Sequence, residues 1–307
     1  MKFGSLALAV VVGAWPVPTP ADSSAEHLSK GETLLAAKDY SGAIREYREA
    51  VRLNPRDPKG HFELGMALKS KGDLEEALSQ YREAIRLQPG LAEAHVNIGS
   101  ILQLKSDLDG AVSEYREAIR LQSGVAEAHM NLGSVLQRKN DFDGAVSEYR
   151  EAIRLRPDFA LAHAHLGSIE RIQRKPDEAA TELREALRLD PNIAEAHRDL
   201  GFILGSKRDM QGAIIELRKA LRLNPSFFDA HMGLGSALRA TGDLSGAIAE
   251  YREAVRLNSG FSYAHYNLAS ALLVHGERDE AKKEFAEAER LNPKLRMPEN
   301  RPRPIQP

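Results

Sequence analysis

Histidine is the residue type here whose spacing most invites a chemical reading. Eight of the ten histidines stand 34 residues apart: His27, His61, His95, His129, His163, His197, His231 and His265. Imidazole binds metals and moves protons near neutral pH. The spacing argues against a metal. Zinc ligands lie about 2 Å from the ion, whereas neighbouring structural repeats are separated by about 10 Å, a helix diameter. A flat, half-polar ring in the same place of every repeat reads as architecture. His165 and His275 fall outside the column, and His165, two residues from His163, lies on another face of its helix.

Other chemistry finds little support. The chain has no cysteine, which excludes disulfides, thiolate metal sites and cysteine nucleophiles. Neither HExxH, GxSxG, GxxxxGK[ST] nor GxGxxG occurs. The nearest glycine pair, Gly233 and Gly235, belongs to a packing pattern. Carboxylates are abundant but recur, as Glu114, Glu148 and Glu216 do, and a residue present in every repeat is a poor unique acid or base. The arginine column Arg52, Arg86, Arg120, Arg154, Arg188, Arg222, Arg256 and Arg290 suggests phosphate binding until Glu49, Glu83, Glu117, Glu151, Glu185 and Glu253 are placed beside it at ion-pair spacing. With a formal net charge of -2, no field is left to gather nucleic acid. The expectation is a non-catalytic protein with no cofactor, no metal and no nucleic-acid partner.

The elements that position these residues follow from the same period. Gly31, Gly65, Gly99, Gly133, Gly167, Gly201 and Gly235 are 34 apart, with Ala269 in the eighth place. Alanine columns run from Ala43 to Ala281 and from Ala50 to Ala288, and a leucine column runs from Leu53 to Leu291, all unbroken. Each unit reads as two helices, for example Ala92 to Lys105 and Asp109 to Leu121, with apolar residues recurring at three and four. Between the helices lie turns such as Gly72-Asp73, Ser106-Asp107, Asn140-Asp141 and Gly242-Asp243. Gly or Asn there tolerates the left-handed backbone that ends the first helix, and Asp caps the second. Prolines such as Pro89 and Pro157 close most units. Glycine and alanine allow close helix approach beside the bulk of Tyr47, Tyr81, Tyr115, Tyr149, Tyr251 and Phe285, with Leu183 and Leu217 replacing the ring in two units.

The pattern Leu64-Gly65, Leu68, Ala77, Tyr81, Ala84 and Pro89 resembles the tetratricopeptide repeat, over residues 24 to about 295. The resemblance implies an all-α fold, a right-handed α-solenoid of eight antiparallel helix pairs, with repeats starting at about 24, 58, 92, 126, 160, 194, 228 and 262. His in place of the family's usual Trp or Tyr, Ser123 and Ser259 for the closing proline, and Ala269 for Gly are departures.

Both ends of the stack carry polar substitutions. The column of Ile44 and Ile248 ends in Lys282, and that of Val51 and Val255 ends in Glu289. At the start, Glu26, Lys30 and Thr33 replace apolar residues of later units. These faces read as caps, so the chain reads as a monomer. Lys2, the apolar run Leu6 to Trp15, and Pro16, Pro18 and Pro20, which end any helix there, read as a signal peptide over residues 1–21. The solenoid then occupies 22–295 and a Pro-rich disordered tail 296–307. The chain is expected to be exported, periplasmic or secreted, with no membrane span after cleavage; the alternative is anchoring by an uncleaved N-terminal segment.

What does not recur lies on the first helices. In the tetratricopeptide family these line a concave groove, and in superhelical members asparagines there hold an extended peptide's backbone; by resemblance that role falls to Asn97, Asn131 and Asn267. A carboxamide can donate to a carbonyl and accept from an amide. Glu63, His165 and Asp199 interrupt the row. Ser100 and Ser134 lie one turn on, and Phe62, Met66, Met130, Phe202 and Tyr266 offer apolar contacts. Gln103, Gln137, Arg171, Arg198 and Arg239 add polar and basic ones. The expected function is a scaffold that binds an extended peptide or protein segment; the alternative is a substrate-recruiting subunit of a separately encoded transferase or protease.

Overall fold

The computed structural model describes residues 20–295. The segments read as a signal peptide and as a Pro-rich tail lie outside the described residues, apart from the last residues of the former. Among the described residues there are sixteen α-helices and no strand. The first helices of the pairs are α1 (Pro20–Ala36), α3 (Pro58–Lys71), α5 (Ala92–Leu104), α7 (Ala126–Arg138), α9 (Ala160–Ile172), α11 (Ala194–Ser206), α13 (Phe228–Ala240) and α15 (Ser262–His275). The second helices are α2 (Tyr40–Leu53), α4 (Leu74–Leu87), α6 (Leu108–Leu121), α8 (Phe142–Leu155), α10 (Pro176–Leu189), α12 (Met210–Leu223), α14 (Leu244–Leu257) and α16 (Arg278–Leu291). Pro20, expected to end a helix, instead begins one; at a first helical position the missing N–H has no intrahelical partner to lose. The chain divides into two compact units between Val135 and Leu136, within α7.

In the first three pairs and the seventh, the second helix lays a tyrosine ring against a glycine of the first. A Cβ added at Gly65 would stand 2.8 Å from the Tyr81 ring, and one at Gly235 2.7 Å from Tyr251. In the fifth and sixth pairs Leu183 and Leu217 occupy that place, against Gly167 and Gly201. The tyrosines, the leucines that replace them and the alanines of both columns are buried. Second helices pack in turn on the next first helix, as α2 does on α3, α4 on α5 and α12 on α13. The apolar core therefore runs along a unit in successive clusters rather than gathering at one centre.

The turns are more uniform than their sequences. Lys38, Gly72, Ser106, Asn140, Arg174, Arg208, Gly242 and Gly276 all adopt positive φ, although only three are glycine. The following N–H reaches back to the first helix in each case, as Asp107 does to the Leu102 carbonyl at 2.9 Å and Asp209 to Leu204 at 2.9 Å. This Schellman closure and the packing of the two helices impose the left-handed residue whatever its side chain. The second helix begins at a cap whose third position matters. Asp39, Asp107, Asp141, Asp209 and Asp243 each accept from the backbone N–H of a glycine three residues on, such as Gly42 and Gly212. A Cβ on Gly42 would stand 2.3 Å from the Asp39 carboxylate. Where Glu76 takes the glycine's place, Asp73 makes no side-chain cap.

At the two ends, Glu26, Lys30, Thr33, Lys282 and Glu289 are exposed. Glu26 and Lys30 pair with each other at 2.7 Å. Among the described residues, no helix is long and apolar enough to cross a membrane.

Candidate functional site

The histidine column has a definite geometry. His163 Nδ1 lies 2.6 Å from Glu182 Oε2 on the second helix of its pair, and its Nε2 lies 3.0 Å from the Pro157 carbonyl in the preceding turn. His231 repeats this with Glu250 and Pro225, His197 with Glu216 and Pro191, and His265 with Glu284 and the Ser259 carbonyl. Both ring nitrogens face acceptors, and at His163 and His231 the ring meets both by donating twice, as an imidazolium. The Glu182 hydrogen bond, helped by the Pro157 carbonyl, raises the His163 pKa against the effect of burial. At His231 burial pulls downward, but Glu250 and the Pro225 carbonyl together outweigh it, and the net direction is again upward. Each ring joins a first helix, a second helix and the turn before them. Among the described residues, no three metal-ligating side chains cluster.

The outer face of the second helices is self-neutralised. Arg52 pairs bidentately with Glu49, Arg120 with Glu117, Arg188 with Glu185 and Arg290 with Glu287. The sixth pair departs from this, because Lys219 stands where the others carry Glu and bonds Glu216 instead.

In the first unit the non-recurring residues of α3 and α5 form an open pocket of about 540 Å³. Phe62, Met66, Val96 and Val125 supply its apolar wall, and Asn97, Glu93, Glu127 and Gln122 its polar one. The Asn97 carboxamide accepts from Lys69 Nζ at 3.0 Å and donates to the Glu93 carbonyl at 3.0 Å. One lone pair and one N–H remain. Burial lowers the Lys69 pKa. Burial also raises that of Glu63, which holds the asparagine place in the second repeat, although Lys59 opposes it. Gln103 is engaged internally: it donates to Ser134 at 3.3 Å and accepts from the Tyr115 hydroxyl at 3.1 Å. Ser100, Met130 and Asn131 are half-buried on the same helical faces.

In the second unit a pocket of about 700 Å³ opens beside α11 and α13. Gly201, Gly205 and Gly233 lie in its wall, with Phe202, Met210, Leu217, Met232, Phe228 and Phe261 around them. Gly233 stands where other repeats carry Asn97 or Asn267, and Phe202 has moved into the space: a Cβ on Gly233 would be 2.4 Å from its ring. Phe228 and Phe261 meet edge to face at 5.2 Å, with Tyr263 next to them at 5.9 Å. Arg171 also lines this pocket. Arg198 Nε donates to the fully buried Asp199 at 2.8 Å, and Arg171 Nε lies 3.2 Å from the same oxygen without hydrogen-bond alignment. Gln137 accepts from the Tyr149 hydroxyl at 2.9 Å, and His165 stacks on the Tyr149 ring at 5.4 Å. Burial lowers the His165 pKa. Arg239 is exposed, Asn267 half-buried, and Tyr266 packs edge-on against Phe285 at 5.4 Å.

Of the residues singled out from sequence, Phe62, Met66 and Asn97 thus line one pocket, and Arg171 and Phe202 the other. Gln137 and Tyr266 are largely occupied within their own hairpins, and Gln103 by its own hairpin and the next. Sequence reasoning missed Phe228, Phe261 and Tyr263. The signal was there: Phe228 replaces the alanine found at Ala92, Ala126, Ala160 and Ala194, and Tyr263 replaces the acidic residue found at Glu93, Glu127 and Glu195. It also missed buried Glu170, whose pKa burial raises; the Glu182 charge adds to this and Arg150 opposes it.

Helix hairpins stacked side by side, with a non-recurring first-helix face, define an α-solenoid interaction module. The sequence profile described as tetratricopeptide repeat matches residues 28–92, 96–158, 130–192, 166–226 and 204–260, and a second of the same description matches 238–297. The chain belongs to the tetratricopeptide-repeat family. No curated protein sequence matches it. Among solved structures, the MamA protein is 29% identical, with 56% of this chain and 94% of that chain aligned at a TM-score of 0.50. PilF of Pseudomonas aeruginosa is 22% identical over 68% of this chain and 96% of that one, at a TM-score of 0.62. YrrB, described as a TPR protein with an unusual peptide-binding site, is 22% identical over 58% and 92%, at a TM-score of 0.52. The latter two likenesses concern the fold alone.

Proposed function

We propose that this chain is a non-catalytic scaffold whose first-helix faces bind an extended segment of a partner protein. The observation that carries this is a division of labour. The recurring residues are consumed by packing, caps and ion pairs, whereas the non-recurring ones gather, in each unit, around an open pocket with an apolar wall and a few polar groups. The peptide-binding site named for YrrB is consistent with this reading. Asn97 keeps one donor and one acceptor for a peptide backbone, and Asn131 sits at the equivalent place one repeat on. The apolar run Leu6 to Trp15 supports export, and N-terminal sequencing of the purified chain tests it: a mature start near residue 22 is expected, and an intact Met1 refutes it.

A displayed library of acetylated, amidated ten-residue peptides tests the binding reading. Peptides retained by the first unit's pocket should bind Asn97→Ala/Asn131→Ala at least about fivefold more weakly, the loss of one or two backbone hydrogen bonds. Failure to retain any peptide overturns it; unchanged affinity in the double variant for every retained peptide overturns the role of the asparagines alone.

A further inference from the structure

We infer that the second unit carries a receptor for an acidic side chain flanked by a bulky apolar one, built from Arg171, Arg198 and the Phe202 pocket. The inference rests on the peptide-binding reading above and specifies what that site selects.

The basis is a charge count and a geometry. Two guanidiniums converge on one carboxylate: Arg198 Nε donates to Asp199 Oδ1 at 2.8 Å, and Arg171 Nε stands 3.2 Å from the same atom. Asp199 is wholly buried and its Oδ2 has no partner, so its single charge faces two cations. Both arginines point their Nε, not their terminal nitrogens, at Asp199. Neither arginine's terminal nitrogens have a protein acceptor among the described residues, and none of these nitrogens is sealed from solvent. Aromatic rings steady both groups. The Arg198 guanidinium lies 4.8 Å from the centre of Phe227, and that of Arg171 lies 5.7 Å from Phe202. A planar fork held at one edge and open at the other matches a carboxylate. Asp229 also lines the pocket.

Arg171 also lines the aromatic pocket, so the two features are contiguous. The pocket exists because Gly205 stands where Gln103 and Gln137 are found in other repeats, and Gly233 where Asn97 is found. An extended peptide that sets an Asp or Glu on the arginine pair places a neighbouring side chain among Phe202, Phe228 and Met232. Asp199 is then a positioning residue, fixing the arginines without touching the ligand.

The same displayed library of acetylated, amidated peptides provides the test. Peptides retained by the wild-type chain should be enriched in Asp or Glu within two residues of Trp, Phe or Leu. For an enriched peptide, replacing the acid by its amide should weaken binding about tenfold or more, and that difference should shrink with added salt. These two measurements use only the unaltered protein. In Arg171→Gln or Arg198→Gln the acid and amide peptides should bind alike. Gly233→Asn, which refills the pocket, should cost the apolar preference while the acid preference remains. Retained peptides with no acidic enrichment, or an acid preference that survives both arginine variants, overturn this inference and leave the peptide-binding reading standing. Binding that requires a free C-terminal carboxylate in place of the amide also overturns it. If no peptide is retained at all, both readings fall.

Discussion

Replacing His163 by Phe keeps a flat ring in the hairpin while deleting both of its polar contacts. The ring donates to Glu182 at 2.6 Å and to the Pro157 carbonyl at 3.0 Å. The first is charge-assisted, worth about 1.5–3 kcal/mol, and the second about 1 kcal/mol. Glu182 keeps 27% of its side chain in water, so solvent recovers part of the first. The expected loss is therefore about 2–3 kcal/mol for the fifth hairpin in mildly acidic solution. Stability in a repeat stack is local, so the measurement is amide hydrogen exchange across α9 and α10, with urea unfolding alongside. The pH dependence has a fixed sign. His163 has a raised pKa in the fold, so its stabilisation is full below the unfolded value, about 6.5, and is lost as pH rises through the folded value. The difference between wild type and His163→Phe should be largest near pH 6 and shrink by pH 9, when a neutral ring keeps only one of the two bonds. Equal exchange in the two proteins at pH 6, or a difference that stays constant to pH 9, refutes the imidazolium latch. His231→Phe should behave in the same way in the seventh hairpin.

Three further outcomes follow from packing and burial. Gly235→Ala should destabilise by about 1–3 kcal/mol, because the new methyl meets the Tyr251 ring at 2.7 Å, and an unchanged midpoint in urea unfolding counts against that close fit. Arg208→Gly should stabilise by about 1 kcal/mol, since Arg208 holds φ 65° with no glycine's freedom, and an unchanged or lowered melting temperature contradicts the assignment of strain there. Glu170 has a raised folded pKa, so its ionisation costs stability as pH rises from about 4.5 through the folded value. Glu170→Gln should therefore gain on wild type as pH rises from 4 to 7, and parallel stability curves for the two proteins count against it.

Much of the fold is legible in the sequence because a solenoid repeats its contacts. Every 34 residues the same small and large side chains must interlock, so the Gly65, Ala77, Tyr81 and Ala84 columns report packing directly. The caps are legible too: Asp39 with Gly42, and Asp209 with Gly212, show a cap and the room it needs. The binding pockets are only half legible. A column identifies Phe202 or Arg171 as unusual, but a pocket is made as much by missing atoms, and Gly205 and Gly233 look like lapses in a pattern until Phe202 is seen filling the gap.

The sequence by itself determined the period, the pairing of helices and the division between recurring and variable faces, because these depend on residue type at fixed separation along one chain. Only the tertiary structure decided what depends on direction. It turned both nitrogens of His163 toward acceptors, which a column of letters cannot do. It imposed left-handed backbone on Arg174 and Arg208, where local preference argues against it, because two packed helices leave the turn no other path. And it brought Arg171 and Arg198, one repeat apart, onto the single buried charge of Asp199. Which atoms of a long side chain face a neighbour and which face water is settled by packing between repeats.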